Sequence, residues 1–148
     1  MKLLFVCTGN TCRSCMAEGI AKKRAQELNL DMDISSAGIY ATNGASCSLN
    51  ALLAMEEMGI DIRNHLSRQL TYELLENSDL ILTMTRAHKD TILSYYPSFS
   101  NKVFTLLEYI GESGDIVDPF GGDIDTYRAC ANEIKQAIDI LFSKLKES

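Results

Sequence analysis

A short apolar run that ends in a cysteine and gives way at once to a loop of small residues constrains this chain more than any other stretch. Leu3, Leu4, Phe5 and Val6 are apolar without alternation, the pattern of a strand covered on both faces. Cys7, Thr8, Gly9, Asn10, Thr11 and Cys12 follow as a loop, and Arg13 and Ser14 lead into the helix-forming run Met16, Ala17, Glu18. A strand covered on both faces needs helices on either side of a sheet. The remainder of the chain supplies them.

Strands are expected over residues 2–6, 32–36, 79–84 and 102–106. Helices are expected between them. The first opens at Ser14 as N-cap and runs to about residue 27 or 28. The second is capped by Ser46 or Ser48 and runs through 58, where Gly59 stops it. Thr71 caps a short helix over 72–76, and another covers 86–95 until Pro97 ends it. A glycine-rich loop spans 111–122. A long amphipathic helix over about 123–145 carries Ala131, Ile134, Ile138, Leu141, Phe142 and Leu145 at helical spacing. The alternation predicts one α/β domain over residues 1–148: a four-stranded parallel, doubly wound sheet with helices on both faces.

In such sheets ligands bind beyond the carboxyl ends of the strands, where the Cys7 loop lies. Five residues separate Cys7 from Arg13. A loop of that length at a helix N-terminus turns backbone N–H groups inward, which binds a dianion and stabilises a nearby thiolate. Arg13 adds a planar, two-pronged grip on phosphoryl oxygens. Cys7 is then placed to attack phosphorus. The sequence contains neither Gly-x-x-x-x-Gly-Lys-Ser/Thr nor Gly-x-Gly-x-x-Gly, so nucleotide and dinucleotide loops are excluded.

The net charge of −6 argues against nucleic acid or an anionic membrane as the partner, so the anion site is a local pocket. No apolar run reaches membrane-spanning length and no signal-peptide pattern opens the chain, which points to a cytoplasmic protein. Five cysteines form no disulfide framework, and Cys12-x-x-Cys15 lacks a second matching pair or a nearby histidine for zinc. Cys47 and Cys130 read as small core residues. His65 and His88 read as surface or capping residues, and Asp115 as a turn former.

Asp118-Pro119-Phe120 stands in the glycine-rich loop after the fourth strand. Pro119 restricts Asp118 to an extended backbone and so aims its carboxyl group. A thiolate attacking phosphorus needs an acid on the far side to protonate the leaving group. Asp118 meets that need.

Together these segments resemble the low-molecular-weight protein-tyrosine-phosphatases. Val6 to Ser14 is similar to that family's signature loop, Asp118-Pro119-Phe120 to its general-acid motif, and Ser36-Ala37-Gly38 to the segment after its second strand. The resemblance implies a two-step hydrolysis. Cys7 takes the phosphoryl group while Asp118 protonates the leaving group, and Asp118 then activates water against the phosphocysteine. Thr8, Gly9, Asn10, Thr11, Cys12, Arg13 and Ser14 form the phosphate cradle. Asn10 braces it in left-handed geometry, and Ser14 donates to the Cys7 thiolate. No cofactor or metal is required.

Thr11 stands where tyrosine-directed members carry a bulky aliphatic residue, which is similar to the bacterial protein-arginine-phosphatase branch. A hydroxyl there, with the Asp118 carboxylate, suits a guanidinium, which needs polar partners. By the same resemblance Tyr40 and Phe120 flank the substrate. The expected partners are phosphorylated proteins, carrying phosphoarginine in preference to phosphotyrosine, and the chain is expected to be a monomer. Arsenate reduction and non-catalytic phosphoprotein binding are the alternatives; the first lacks a clear distal cysteine pair. Cys15 replaces the proline that usually follows Arg-Ser, restoring an N–H at the loop exit. The resemblance further implies redox control, with a Cys7–Cys12 disulfide under peroxide and Cys15 as a competing partner.

Overall fold

A computed structural model of the chain describes residues 1–147. Strand β1 covers Lys2–Cys7, and its alternate residues serve two cores. Leu3, Phe5 and Cys7 face one apolar cluster; Leu4 and Val6 face another. This division follows from the period-two direction of strand side chains. On the first face lie α1 (Arg13–Glu27), α2 (Leu49–Glu57) and the long α6 (Ile124–Glu147). The second face is closed by α3 (Tyr72–Asn77), which brings Leu75, and α4 (Arg86–Tyr95), which brings Ile92. The sheet is completed by β2 (Asp33–Gly38), β3 (Leu80–Thr83) and β4 (Val103–Thr105).

All pairings are parallel, in the order β2-β1-β3-β4. The expected four-stranded doubly wound sheet is thus present. From β1 the chain crosses to β2 on one side, then returns to β3 on the other. The switch falls at the carboxyl end of β1, where Cys7 stands. No described helix is long and apolar enough to cross a membrane.

Several local expectations are corrected. Ser14 is not an N-cap: α1 begins at Arg13, its cap position is Cys12, and no side chain caps it. The N–H groups of the first turn therefore stay open toward the loop, which a capping hydroxyl would have blocked. Of the two candidates for α2, Ser48 is the cap, accepting from Ala51 N–H. β2 runs on to Gly38, and β4 ends at Thr105 rather than 106. There a four-residue helix, α5 (Leu106–Tyr109), opens on a capping box between Thr105 and Glu108. Thr105 closes the strand and caps the helix at once, which hid this element in the sequence.

Candidate active site

The loop from Cys7 to Arg13 is built on a left-handed residue, Asn10, at φ 60°. Asparagine tolerates this conformation, and here each of its polar atoms is occupied. Its amide nitrogen donates to Ser14 Oγ at 2.8 Å and to Ser36 Oγ at 2.9 Å. Its side-chain oxygen accepts from Arg68 N–H at 3.0 Å, and its backbone carbonyl from His65 Nε2 at 2.9 Å. Asn10 is fully buried, so the expected brace is present and spans α1, β2 and the segment that holds His65 and Arg68.

Around the Cys7 sulfur the same residues set polarity. Asn10 N–H donates to Sγ at 3.3 Å, and Ser14 Oγ lies 2.8 Å from it. Because Ser14 Oγ already accepts from Asn10, its own hydrogen is free to point at the sulfur. A thiolate at Cys7 thus has two donors in a buried site, where such bonds are strong. Gly38 makes the arrangement possible: a Cβ there would sit 2.5 Å from Thr8 O and 2.9 Å from Ala41 Cβ.

Arg13 is buried, and its guanidinium donates to Ile116 O at 2.9 Å. Ile116 N–H in turn donates to Met84 O just past β3, tying the start of the acid loop to the sheet. Two residues later Asp118 brings Oδ2 to 3.6 Å from Arg13, with its side chain half exposed. Asp118 Oδ1 accepts from Phe120 N–H at 3.0 Å, which folds the Asp-Pro-Phe turn back on itself. The motif after β4 and the loop after β1 therefore meet, as their places beyond the strand ends require.

Thr11 is partly exposed, and its carbonyl accepts from Ser48 N–H at 3.0 Å. Phe120 is 79% exposed and Tyr40 75%. Tyr40 N–H donates to Thr8 O at 2.9 Å, so its backbone adjoins the cradle; the residue also lines a surface depression with Gln69, Leu70 and Tyr95. Cys12 Sγ lies 3.3 Å from Tyr127 Oη and 3.5 Å from Ser48 Oγ. Burial, reinforced by Cys12, pushes the Tyr127 hydroxyl up to about 12. Burial pushes the Cys130 thiol up to about 12 as well, in keeping with a core residue.

Both histidines are corrected: neither is a free surface side chain, and each bonds to an atom of the Cys7–Arg13 loop. His88 is buried, with Nε2 2.9 Å from Thr8 Oγ1. Burial and then the Arg13 charge lower it to about 4, against the opposite pull of Asp115 and Asp118. His88 is thus a neutral partner of the cradle. His65 holds the Asn10 carbonyl. Each acts on a loop atom more than fifty positions away, so no local pattern marked them. Asp115 is more than a turn former, because its carboxylate accepts from Arg86 N–H at the start of α4.

Residues 2–148 match the family model described as low molecular weight phosphotyrosine protein phosphatase. The chain belongs to that family. It is 43% identical to a protein-arginine-phosphatase of Bacillus subtilis (strain 168) over 148 residues, covering 99% of this chain and 98% of that protein. It is 48% identical to the low molecular weight protein-tyrosine-phosphatase PtpB of Staphylococcus haemolyticus over 128 residues, 86% and 88% of the two chains. Among solved structures, the YwlE arginine phosphatase in its C7S form with a phosphorylated active site serine superposes with a TM-score of 0.97 at 42% identity, covering 100% of this chain and 97% of that one. As a member of this family, the chain is a cysteine-dependent protein phosphatase.

Proposed function

We propose that this phosphatase hydrolyses phosphoarginine on proteins through a phosphocysteine at Cys7. The observation that carries the reading is the pair of donors converging on the Cys7 sulfur, with Arg13 and Asp118 3.6 Å apart above the same loop. Bound phosphate takes the guanidinium of Arg13 and the open N–H groups at the start of α1. Cys7 Sγ attacks phosphorus in line, and the carboxylic acid of Asp118 gives its proton to the departing nitrogen. Water then attacks the phosphocysteine, with Asp118 taking its proton, and Cys7 leaves as a thiolate held by Ser14. Arg13 and the loop N–H groups stabilise the charge that builds on the phosphoryl oxygens at both transition states.

Thr11 is the residue that selects the substrate in this reading. Its hydroxyl, together with the Asp118 carboxylate, would offer polar contacts to a guanidinium, while Phe120 and Tyr40 supply flat exposed walls. A larger aliphatic side chain would fill that space and favour a tyrosine ring. The full-length likeness to protein-arginine-phosphatases supports this choice, and PtpB marks phosphotyrosine as the competing substrate. Initial rates on phosphoarginine and phosphotyrosine peptides test it directly. The wild type should prefer phosphoarginine, and Thr11→Ile should lose or reverse that preference. A wild-type preference for phosphotyrosine would sink the specificity assignment.

The same site supports redox control. Cys7 and Cys12 are both buried thiols, at the two ends of one short loop. Peroxide would oxidise Cys7 to a sulfenic acid, and attack by the Cys12 thiolate would expel hydroxide and form the disulfide. The chain acts as a monomer on phosphoprotein surfaces, independently of nucleic acid and membranes.

A further inference from the structure

Behind the phosphate loop, beside the first turn of α1, three ligand-type side chains converge that the reaction does not use. We propose that Cys15, Cys47 and His65 form a zinc site. Their ligand atoms lie within 4.8 Å of one another, although the residues come from three separate segments of the chain. A tetrahedral zinc ion with Zn–S near 2.3 Å and Zn–N near 2.0 Å holds such atoms roughly 3.4–3.8 Å apart. Small side-chain rotations close the difference.

The imidazole is already oriented for this. His65 Nε2 lies 2.9 Å from the Asn10 carbonyl oxygen, which can only accept, so Nε2 carries the hydrogen. In the neutral ring Nδ1 therefore carries the lone pair, and a backbone carbonyl on the opposite nitrogen is the usual outer partner of a zinc-bound histidine. Access exists as well. Cys15, Glu18 and His65 line the same surface cavity, together with Lys22, Asn64 and Ile62, so water can reach the fourth position. The Glu18 carboxylate stands 3.9 Å from His65 Nδ1 and can serve there instead.

On binding, the two thiols release two protons to solvent. The resulting pair of thiolates balances the charge of Zn²⁺, so the filled site is neutral within a buried region. Cys15 gives up its hydrogen bond to Cys12 O, now 3.1 Å long, and gains the metal. The sequence concealed this cluster because the cysteine at zinc-finger spacing, Cys12, is not part of it; the partners of Cys15 lie 32 and 50 positions on. With the ring fixed, the hydrogen bond that braces Asn10 is fixed too. Zinc would thus stiffen the phosphate loop from below.

Cobalt substitution tests the site in reduced Cys7→Ser protein, which removes the nucleophile as a ligand and makes the outcome independent of the catalytic reading. Titration with Co²⁺ should give thiolate-to-cobalt charge-transfer absorption and strong tetrahedral visible bands that saturate at one equivalent. One equivalent of Zn²⁺ should abolish them and raise Tm. Adding Cys47→Ser should remove most of the charge-transfer absorption and the zinc-dependent rise in Tm, with circular dichroism reporting that the variant is folded. Absence of charge-transfer absorption in the Cys7→Ser protein overturns the proposal without reference to any cluster variant. So does absorption undiminished by Cys47→Ser, which would place the metal on other thiols.

Discussion

At the scale of single residues, the site is organised by atoms with one remaining option. Ser14 Oγ accepts from Asn10, so its hydrogen goes to Cys7. Hydrogen bonds to a charged partner contribute about 1.5–3 kcal/mol, so Ser14→Ala should lower kcat about 10- to 100-fold. KM for a phosphorylated substrate should change little, because the hydroxyl serves the nucleophile and not the phosphate. Steady-state kinetics in which only KM rises would show that the Ser14 hydroxyl serves the phosphate and not the nucleophile. His88 makes a second residue-scale prediction. The unfolded ring takes a proton near 6.5 and the folded ring only near 4. Between those values the unfolded state binds more protons, so stability is full above 6.5 and falls as pH drops toward 4. The loss approaches about 3 kcal/mol at the acid end, from 1.36 kcal/mol per pH interval. Measured against wild type, His88→Asn should flatten Tm across that window while changing little at pH 7.5. An unchanged pH slope would show that another group dominates the acid transition.

At the scale of elements, β2 and the phosphate loop meet at a distance only glycine permits. A methyl at residue 38 would collide with the Thr8 carbonyl and with Ala41, neither of which is a flexible side-chain end. Gly38→Ala should therefore cost about 2 kcal/mol and also reduce kcat, since relief of the clash moves the cradle. Urea unfolding and kinetics on the same preparation check both parts; a stable variant with wild-type kcat would contradict the account. The β1–loop–α1 unit was readable because its signals are local: an apolar run, small residues, then helix formers. Thr71 and the long α6 were readable for the same reason, and Ser48 as one of two candidate caps. The start of α1 was misplaced because a serine in the right position looks like a cap, whereas here its hydroxyl points back to a sulfur. α5 was missed because one threonine ends a strand and caps a helix.

At the scale of the whole molecule, a chain of net charge −6 gathers backbone donors and one buried arginine beyond the carboxyl end of β1, where the proposed reaction needs an anion site. The strand order puts the switch point at Cys7, and the loop after β4, anchored through Ile116 to Arg13 and Met84, carries Asp118 to it. The approach of the Asp118 loop to the loop that holds Arg13 could be inferred from sequence because both follow strand ends. The supports at His65, His88, Arg68 and Tyr127 could not, because they depend on how distant segments pack. In the proposed reaction Cys7 carries the phosphoryl group and Asp118 governs its release. The most direct test is rapid-quench kinetics of Asp118→Asn with p-nitrophenyl phosphate, whose leaving group departs without a proton. The expected result is a burst of one nitrophenolate per enzyme, a slow steady rate after it, and a phosphoryl group on the peptide that contains Cys7. A burst-free time course with no phosphorylated Cys7 peptide, or the phosphoryl group on another residue, would contradict it.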